Sequence, residues 1–191
     1  MPSQRQQYLT LKKELFRKSV HLSFCVFALF CLKFKLSPLC LVLIPAAFVG
    51  FFIENSTHFK KRLSLGSERR FGAILLAIGL SLIVFSPTNL DSKIFAILVL
   101  AIADLGASIV GKLAPIKSTK ILETTKSLGG SLTFAVGVFI ALALSFGFRN
   151  PYYSYPIIIA FLTFVELFNW RSIDNLTLPI LSLILGGVFF G

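Results

Sequence analysis

The chain has 191 residues, of which 55% are hydrophobic and 14% charged, with 21 Phe and a mean hydropathy of +0.84. A soluble domain carries about 25% charged residues, and a single core could not hide this much apolar surface. Composition therefore excludes a disordered tail, a secreted disulfide scaffold and an ordinary cytosolic enzyme, although the formal charge is +11, from 19 Lys+Arg against 8 Asp+Glu.

Apolar, almost uncharged runs recur at 20–32, 36–53, 71–87, 94–111, 127–148, 151–168 and 174–191. Most approach the ~20 residues that cross ~30 Å of hydrocarbon as a helix. The runs are continuous rather than alternating, which argues against strands. Backbone groups in lipid must be satisfied within the chain, so helices are expected. The fold class predicted is all-α: a polytopic membrane protein of about seven transmembrane helices, forming one integral membrane domain over 1–191.

Residues 1–19 form a basic, amphipathic N-terminal segment, and Leu11, Leu15, Lys18 and Leu22 predict that the first helix begins before residue 20. The run Val20 to Leu32 resembles a signal-peptide core. Lys33-Phe34-Lys35 follows it in place of a small-residue cleavage site, so it is expected to remain as a membrane segment. Cys25, Cys31 and Cys40 lack CxxC spacing and read as small buried hydrophobes. Pro45, Pro156 and Pro179 are expected to kink spans, or to mark helix starts in the last two cases. The longest interior gap, 54–70, leaves no room for a soluble catalytic domain, so any chemistry falls on helix ends and short loops.

Charge sets the orientation. The tail (Arg5, Lys12, Lys13, Arg17, Lys18), residues 60–70 (Lys60, Lys61, Arg62, Arg69, Arg70), the 112–126 loop (Lys112, Lys117, Lys120, Lys126) and Arg171 share one side. Only Lys33, Lys35, Lys93 and Arg149 fall on the other. The positive-inside rule places the N-terminus in the cytoplasm and the C-terminus outside. Glu14, Glu54, Glu68, Glu123, Glu166, Asp174 and Asp104 gather toward the same face, and only Asp91 lies opposite. Orientation and attraction to anionic lipid account for the cations but not for these carboxylates. A cationic site with embedded carboxylates suits a polyphosphate and its divalent metal.

A charge inside a span is costly and points to function. Asp104 lies eight residues before Lys112, ~12 Å from the helix end. Ala103, Ala107 and Gly111 form a close-packing face, and Asp104, Ala107, Ser108 and Gly111 an adjacent stripe able to line a narrow wet cavity. The simpler role for Asp104 is a hydrogen bond to a neighbouring helix. Glu14, Arg17, Lys18 and His21 share one helical face, and a plain membrane anchor needs neither Glu nor His.

In the fourth loop, Lys126-Ser127-Leu-Gly129-Gly130-Ser131 opens the next helix. Ser127 can cap it, the glycines admit a close neighbour, and the helix N-terminus favours phosphate. It is not a P-loop, because GxxxxGK[ST] is absent, as is GxGxxG. Glu166 ends the sixth span and Asp174-Asn175 begins the seventh, where Asp174 can also serve as an N-cap. Trp170 can be an interface anchor, and His58 has no assigned role.

Together these stretches resemble the CTP-dependent lipid-alcohol kinases: dolichol kinase, phytol kinase and the CTP-using diacylglycerol kinase. The resembling motifs run in order over most of the chain: Glu14-Leu-Phe-Arg17-Lys18-Ser-Val-His21; Glu68 with Gly72-Ala73 and Gly79; Asp104-Leu-Gly-Ala107-Ser108-Ile-Val-Gly111-Lys112 with Lys126-Ser127-Leu-Gly129-Gly130-Ser131; and Glu166 with Asp174-Asn175 and Pro179. Gly129 stands where many relatives carry an acidic residue.

The resemblance implies transfer of the γ-phosphate of CTP to the hydroxyl of a lipid alcohol (diacylglycerol, polyprenol, dolichol or phytol) at the cytoplasmic face of a bacterial inner membrane or an endomembrane. It implies Mg²⁺, or another divalent cation, on Asp104 with Glu166 or Asp174. It also implies Arg17, Lys18, Gly111, Lys112, Lys126, Ser127, Gly130 and Ser131 around the phosphates, within or beside a 112–126 nucleotide-site loop. Asp104 or Asp174, or less favourably His21, would accept the hydroxyl proton. Glu14, Glu68 and Asn175 are further motif positions. Kinship with phosphatidate cytidylyltransferases makes cytidylyl transfer the second reading, although their longer C-terminal signature is absent.

A small transporter is the alternative from another class, but no repeated halves are visible and the polar groups gather at one face. Nucleic acid is not expected as a partner, because the basic residues are split among membrane-flanking loops. The partners expected are the bilayer, the lipid alcohol and CTP; the sequence does not specify an oligomeric state.

Overall fold

The computed structural model describes residues 4–47, 49, 72–113, 116, 118–121, 124–147, 153–168 and 173–191. Helix α1 runs Gln4–Lys33 and is followed by a 3₁₀ turn, Ser37–Val42. Helix α2 is Gly72–Phe85. Helix α3, Leu90–Leu98, continues through a π-helical segment, Val99–Asp104, into α4, Leu105–Leu113. A hairpin, β1 Ser118–Ile121 and β2 Thr124–Ser127, leads to α5, Leu128–Phe146. Helices α6, Ser154–Phe168, and α7, Asp174–Phe190, complete the chain.

Leu15–Lys33, Leu90–Leu113 and Leu128–Phe146 are long and apolar enough to cross a membrane, and three shorter apolar helices accompany them. Apart from one short hairpin the described residues form an all-α fold, and by length and composition its long apolar helices suit a multi-pass membrane protein. The run expected as a span at 36–53 begins instead as the 3₁₀ turn, with helix at 43–47, and 50–71 lie outside the described residues.

Local chemistry explains most boundaries. The second long helix starts at 90 rather than 94 because Asn89 caps it, its side chain accepting from the Ser92 N–H at 2.7 Å. Ser127 caps α5 as expected, accepting from the Gly130 N–H at 3.1 Å. Gly147 closes α5 with φ 62°, a left-handed conformation that suits glycine. Pro156 sits in the first turn of α6, where its missing N–H costs nothing. Pro179 instead lies inside α7.

Two differences from the sequence reading stand out. The 112–126 loop contains an antiparallel pair, Ser118 opposite Ser127 through Ile121 opposite Thr124; its Thr and Ile residues favour extended backbone. Asp174 does not cap α7. Ile173 holds the cap position without a side-chain bond, and the Asp174 carboxylate accepts the Asn175 N–H at 2.9 Å within the first turn.

The α3–π–α4 rod is the hub, contacting α1, α5 and α7. The fully buried Phe95, Ile97, Val99 and Leu100 come from it, and Phe134, Val138, Ile158 and Leu178 pack around them. Cys25 and Cys31 are free and buried against the same core. Leu132, Val136, Leu144, Ile157, Phe161 and Phe164 point outward, as side chains solvated by lipid do.

The α4–α5 crossing is a small-residue seam. A Cβ added at Gly137 would fall 2.5 Å from the Ala103 Cα, and one added at Gly130 would fall 3.1 Å from the Ala107 carbonyl oxygen and 3.3 Å from the Gly111 Cα. The close-packing face Ala103–Ala107–Gly111 is thus the one that meets α5.

The two ends of the bundle differ. At one, Phe146 stacks on Phe190 and Asn89 Nδ2 donates to the Phe190 carbonyl at 3.2 Å. At the other, the buried ionisable groups converge.

Candidate functional site

Lys18 reaches from α1 to Asp104, the last residue of the π segment. Its ammonium forms an ion pair with Asp104 Oδ2 and lies 3.4 Å from the Asp104 carbonyl. The pair is buried, with side chains 3% and 12% exposed. His21, one turn further along α1, places Nδ1 3.7 Å from the same Oδ2 and is buried. That separation is too long for a hydrogen bond, so His21 is a neighbour of the pair rather than a member of it. π-segments distort the face a helix presents and recur at functional sites; here one ends on the carboxylate.

A second pair joins the hairpin to α6. Lys126, on β2 just before the Ser127 cap, meets Glu166 Oε1 near the C-terminus of α6. The two side chains are 18% and 11% exposed. Asp174 completes the set: the charges of Asp104, Lys18, Lys126 and Arg17 all act on its carboxylate. Among the described residues it forms no ion pair.

Asn175 fixes that carboxylate in place. Its side-chain amide donates to the Gly72 carbonyl at 2.9 Å, tying the first turn of α7 to the start of α2. Pro179 lacks the N–H that would bond the Asn175 carbonyl. Gly79 of α2 approaches there: a Cβ at Gly79 would lie 2.9 Å from the Asn175 oxygen. Gly72, Gly79, Asn175 and Pro179, scattered in the sequence, act as one joint.

The other candidate residues separate into groups. Arg17 is half-buried, one position before Lys18. Lys112 is exposed at the end of α4. Gly111, Ser127 and Gly130 meet each other in the seam, where a Cβ at Gly111 would lie 3.1 Å from Ser127 Oγ. The close neighbour that Gly130 admits is therefore a helix, and its N–H is taken by the Ser127 cap. Ala107 and Gly111, expected also as a cavity wall, are committed to this contact. Ser131 is buried and bonds back to the Ser127 carbonyl at 3.4 Å. The side chain of Glu14, all of Glu68, and residues 169–172 lie outside the described residues.

Sequence reasoning gathered Lys18, Asp104, Lys126, Glu166 and Asp174 at one end but assigned the lysines to phosphate alone. Their pairing with the carboxylates carries no local sequence signal, because the partners are 86 and 40 positions apart. The same holds for Gly137 against Ala103.

No group of three His, Cys, Asp or Glu side chains is arranged to hold a metal ion among the described residues. That does not conflict with Mg²⁺, which binds through one or two carboxylates and completes its shell with water and substrate phosphates. Glu166 retains Oε2 buried and without a hydrogen-bond partner among the described residues. A hard, unsatisfied oxygen of this kind fits such an ion. Chemically, the end of the bundle offers two lysine ammoniums for phosphate and three carboxylates for a cation or a proton.

Comparison with family models, with curated proteins and with solved structures finds no match to this chain.

Proposed function

We propose that this protein is a membrane lipid kinase that moves the γ-phosphate of CTP to the hydroxyl of a lipid alcohol at the cytoplasmic face. In this reading the chain has about seven spans, with the N-terminus in the cytoplasm and the C-terminus outside. The observation that carries the proposal is the buried pairing of Lys18 with Asp104 and Lys126 with Glu166, with Asp174 within electrostatic reach of both lysines. Such alternating charge is expensive to bury in a membrane protein, and a polyphosphate with its cation repays it.

Phosphoryl transfer depends on positioning and charge neutralisation more than on covalent chemistry. Lys18 and Lys126 would neutralise phosphate oxygens, with Arg17 and Lys112 adding charge around them. A bound Mg²⁺ would draw electron density from the transferred phosphoryl group, held by Asp104 and Glu166. Asp174 is the carboxylate that no lysine neutralises among the described residues, and we assign it to receive the proton of the lipid hydroxyl. The Asn175 bond to Gly72 fixes its position. The lipid would approach sideways from the cytoplasmic leaflet, past the apolar outer faces of the helices.

The test uses purified protein, a panel of lipid alcohols, and CTP labelled at the α- or γ-phosphate. Label reaching the lipid from the γ-position alone is the expected result. Label from the α-position identifies a cytidylyltransferase. No transfer, with lipid still bound, overturns the kinase reading and favours transport or scaffolding.

A further inference from the structure

Two lysines at the polar end each occupy a carboxylate oxygen that a cation would need: Lys18 holds Asp104 Oδ2 and Lys126 holds Glu166 Oε1. We propose that the two lysines are exchange ligands, which block free divalent cations and transfer from carboxylate to phosphate when a nucleotide arrives. Metal and nucleotide then load as one unit, and the two lysine-held oxygens, Asp104 Oδ2 and Glu166 Oε1, open to metal only when the nucleotide draws the lysines away. The inference rests on the proposed function and adds an order of assembly to it.

Four observations converge. Lys18 is 2% exposed, so its ammonium has little water to retreat to and leaves Asp104 only for another anion. A divalent ion approaching either carboxylate meets a lysine charge at contact distance. No cluster of three ligand-type side chains exists among the described residues, so the protein alone offers a cation an incomplete shell, and phosphate oxygens must finish it. Glu166 Oε2 is nevertheless buried and without a partner among the described residues, a desolvation cost that a ligand removes. The two paired carboxylates are neutralised at rest, and Glu166 Oε2 still lacks a donor or a cation among the described residues.

The exchange balances charge without moving a bond. Two ammoniums shift from two carboxylates to phosphate oxygens, and the carboxylates become available to the incoming cation. Binding of metal and nucleotide is then positively coupled, and linkage requires the same factor in both directions.

The test measures binding of Mn²⁺, a spectroscopic substitute for Mg²⁺, by electron paramagnetic resonance, with and without a β,γ-methylene analogue of CTP. In the wild type the analogue is expected to raise the protein's Mn²⁺ affinity about tenfold or more, after subtraction of the Mn²⁺ that the analogue holds free in solution. In Lys126→Met, free Mn²⁺ should bind about tenfold more tightly than in the wild type, analogue affinity should fall, and the coupling should shrink. Adding Glu166→Gln to that variant should abolish the gain. Lys18→Met repeats the experiment at Asp104, and the wild-type coupling needs no variant to fold.

Equal Mn²⁺ affinity with and without bound analogue overturns the exchange, as does an unchanged Mn²⁺ affinity in Lys126→Met. Wild-type protein that binds no nucleotide overturns the proposed function together with the exchange. Nucleotide binding without coupling overturns the exchange alone.

Discussion

Lys18 and Asp104, 86 residues apart, form a buried ion pair that joins α1 to the end of the π segment. The carboxylate singled out as an intramembrane charge is therefore also a structural partner. Asp104→Asn on its own leaves a lysine ammonium buried without its counter-charge, at a cost of about 3–5 kcal/mol. Loss of turnover in that variant would mix catalysis with stability. The double variant Lys18→Met/Asp104→Leu replaces the pair by apolar groups and is expected to recover most of the thermal stability in detergent. It is expected to stay inactive in the labelled-CTP assay, and near-normal turnover would remove both residues from the site.

Asn175 makes a different kind of contribution, through a neutral hydrogen bond to the Gly72 carbonyl. Asn175→Leu removes that hydrogen bond, for about 0.5–1.5 kcal/mol, and releases the first turn of α7. Turnover should fall more steeply than stability, because Asp174 is displaced while the core is kept. The comparison is kcat against the unfolding midpoint. A variant that loses stability but keeps kcat would make Asn175 purely structural.

The seam between α4 and α5 predicts a steric effect. At Gly137 an added Cβ would sit 2.5 Å from the Ala103 Cα, so Gly137→Ala must push two helices apart. Overpacking of this sort costs about 1–3 kcal/mol. Gly187→Ala is the control, since its Cβ would meet the Thr88 methyl at an ordinary 3.6 Å. Thermal unfolding in detergent should separate the two clearly, with the control near wild type.

Ser127 both caps α5 and touches Gly111 and Gly130. Ser127→Ala removes the cap and should cost about 1 kcal/mol. Ser127→Asp can keep a capping oxygen but places a new charge beside the Lys126–Glu166 pair, so nucleotide affinity should drop even if helicity is retained. Circular dichroism and nucleotide binding, measured on both variants, test these expectations.

The residues of the candidate site were legible because their chemistry is conspicuous in an apolar chain. Asp104, Glu166 and Asp174 interrupt or border runs in which charge is costly, and Lys18, His21 and Lys126 flank them on one side. The Ser127 cap and the close-packing face of Ala103, Ala107 and Gly111 follow equally from local rules. The hairpin at 118–127 was not legible, since short polar segments are compatible with several backbones; of the two places expected for Pro179, inside a helix or at its start, the structure takes the first.

The sequence by itself determined that this chain forms apolar helices suited to lipid and that Lys18, Asp104, Lys126, Glu166 and Asp174 stand out among them as the residues able to carry chemistry. Hydrocarbon admits no unsatisfied backbone and few charges, so composition and order suffice for that much. Only the tertiary structure decided the partners: Lys18 with Asp104, Lys126 with Glu166, Asn175 with Gly72, and Gly137 with Ala103. Partner choice depends on how helices rotate and cross, and those angles are set by packing between segments far apart in the chain.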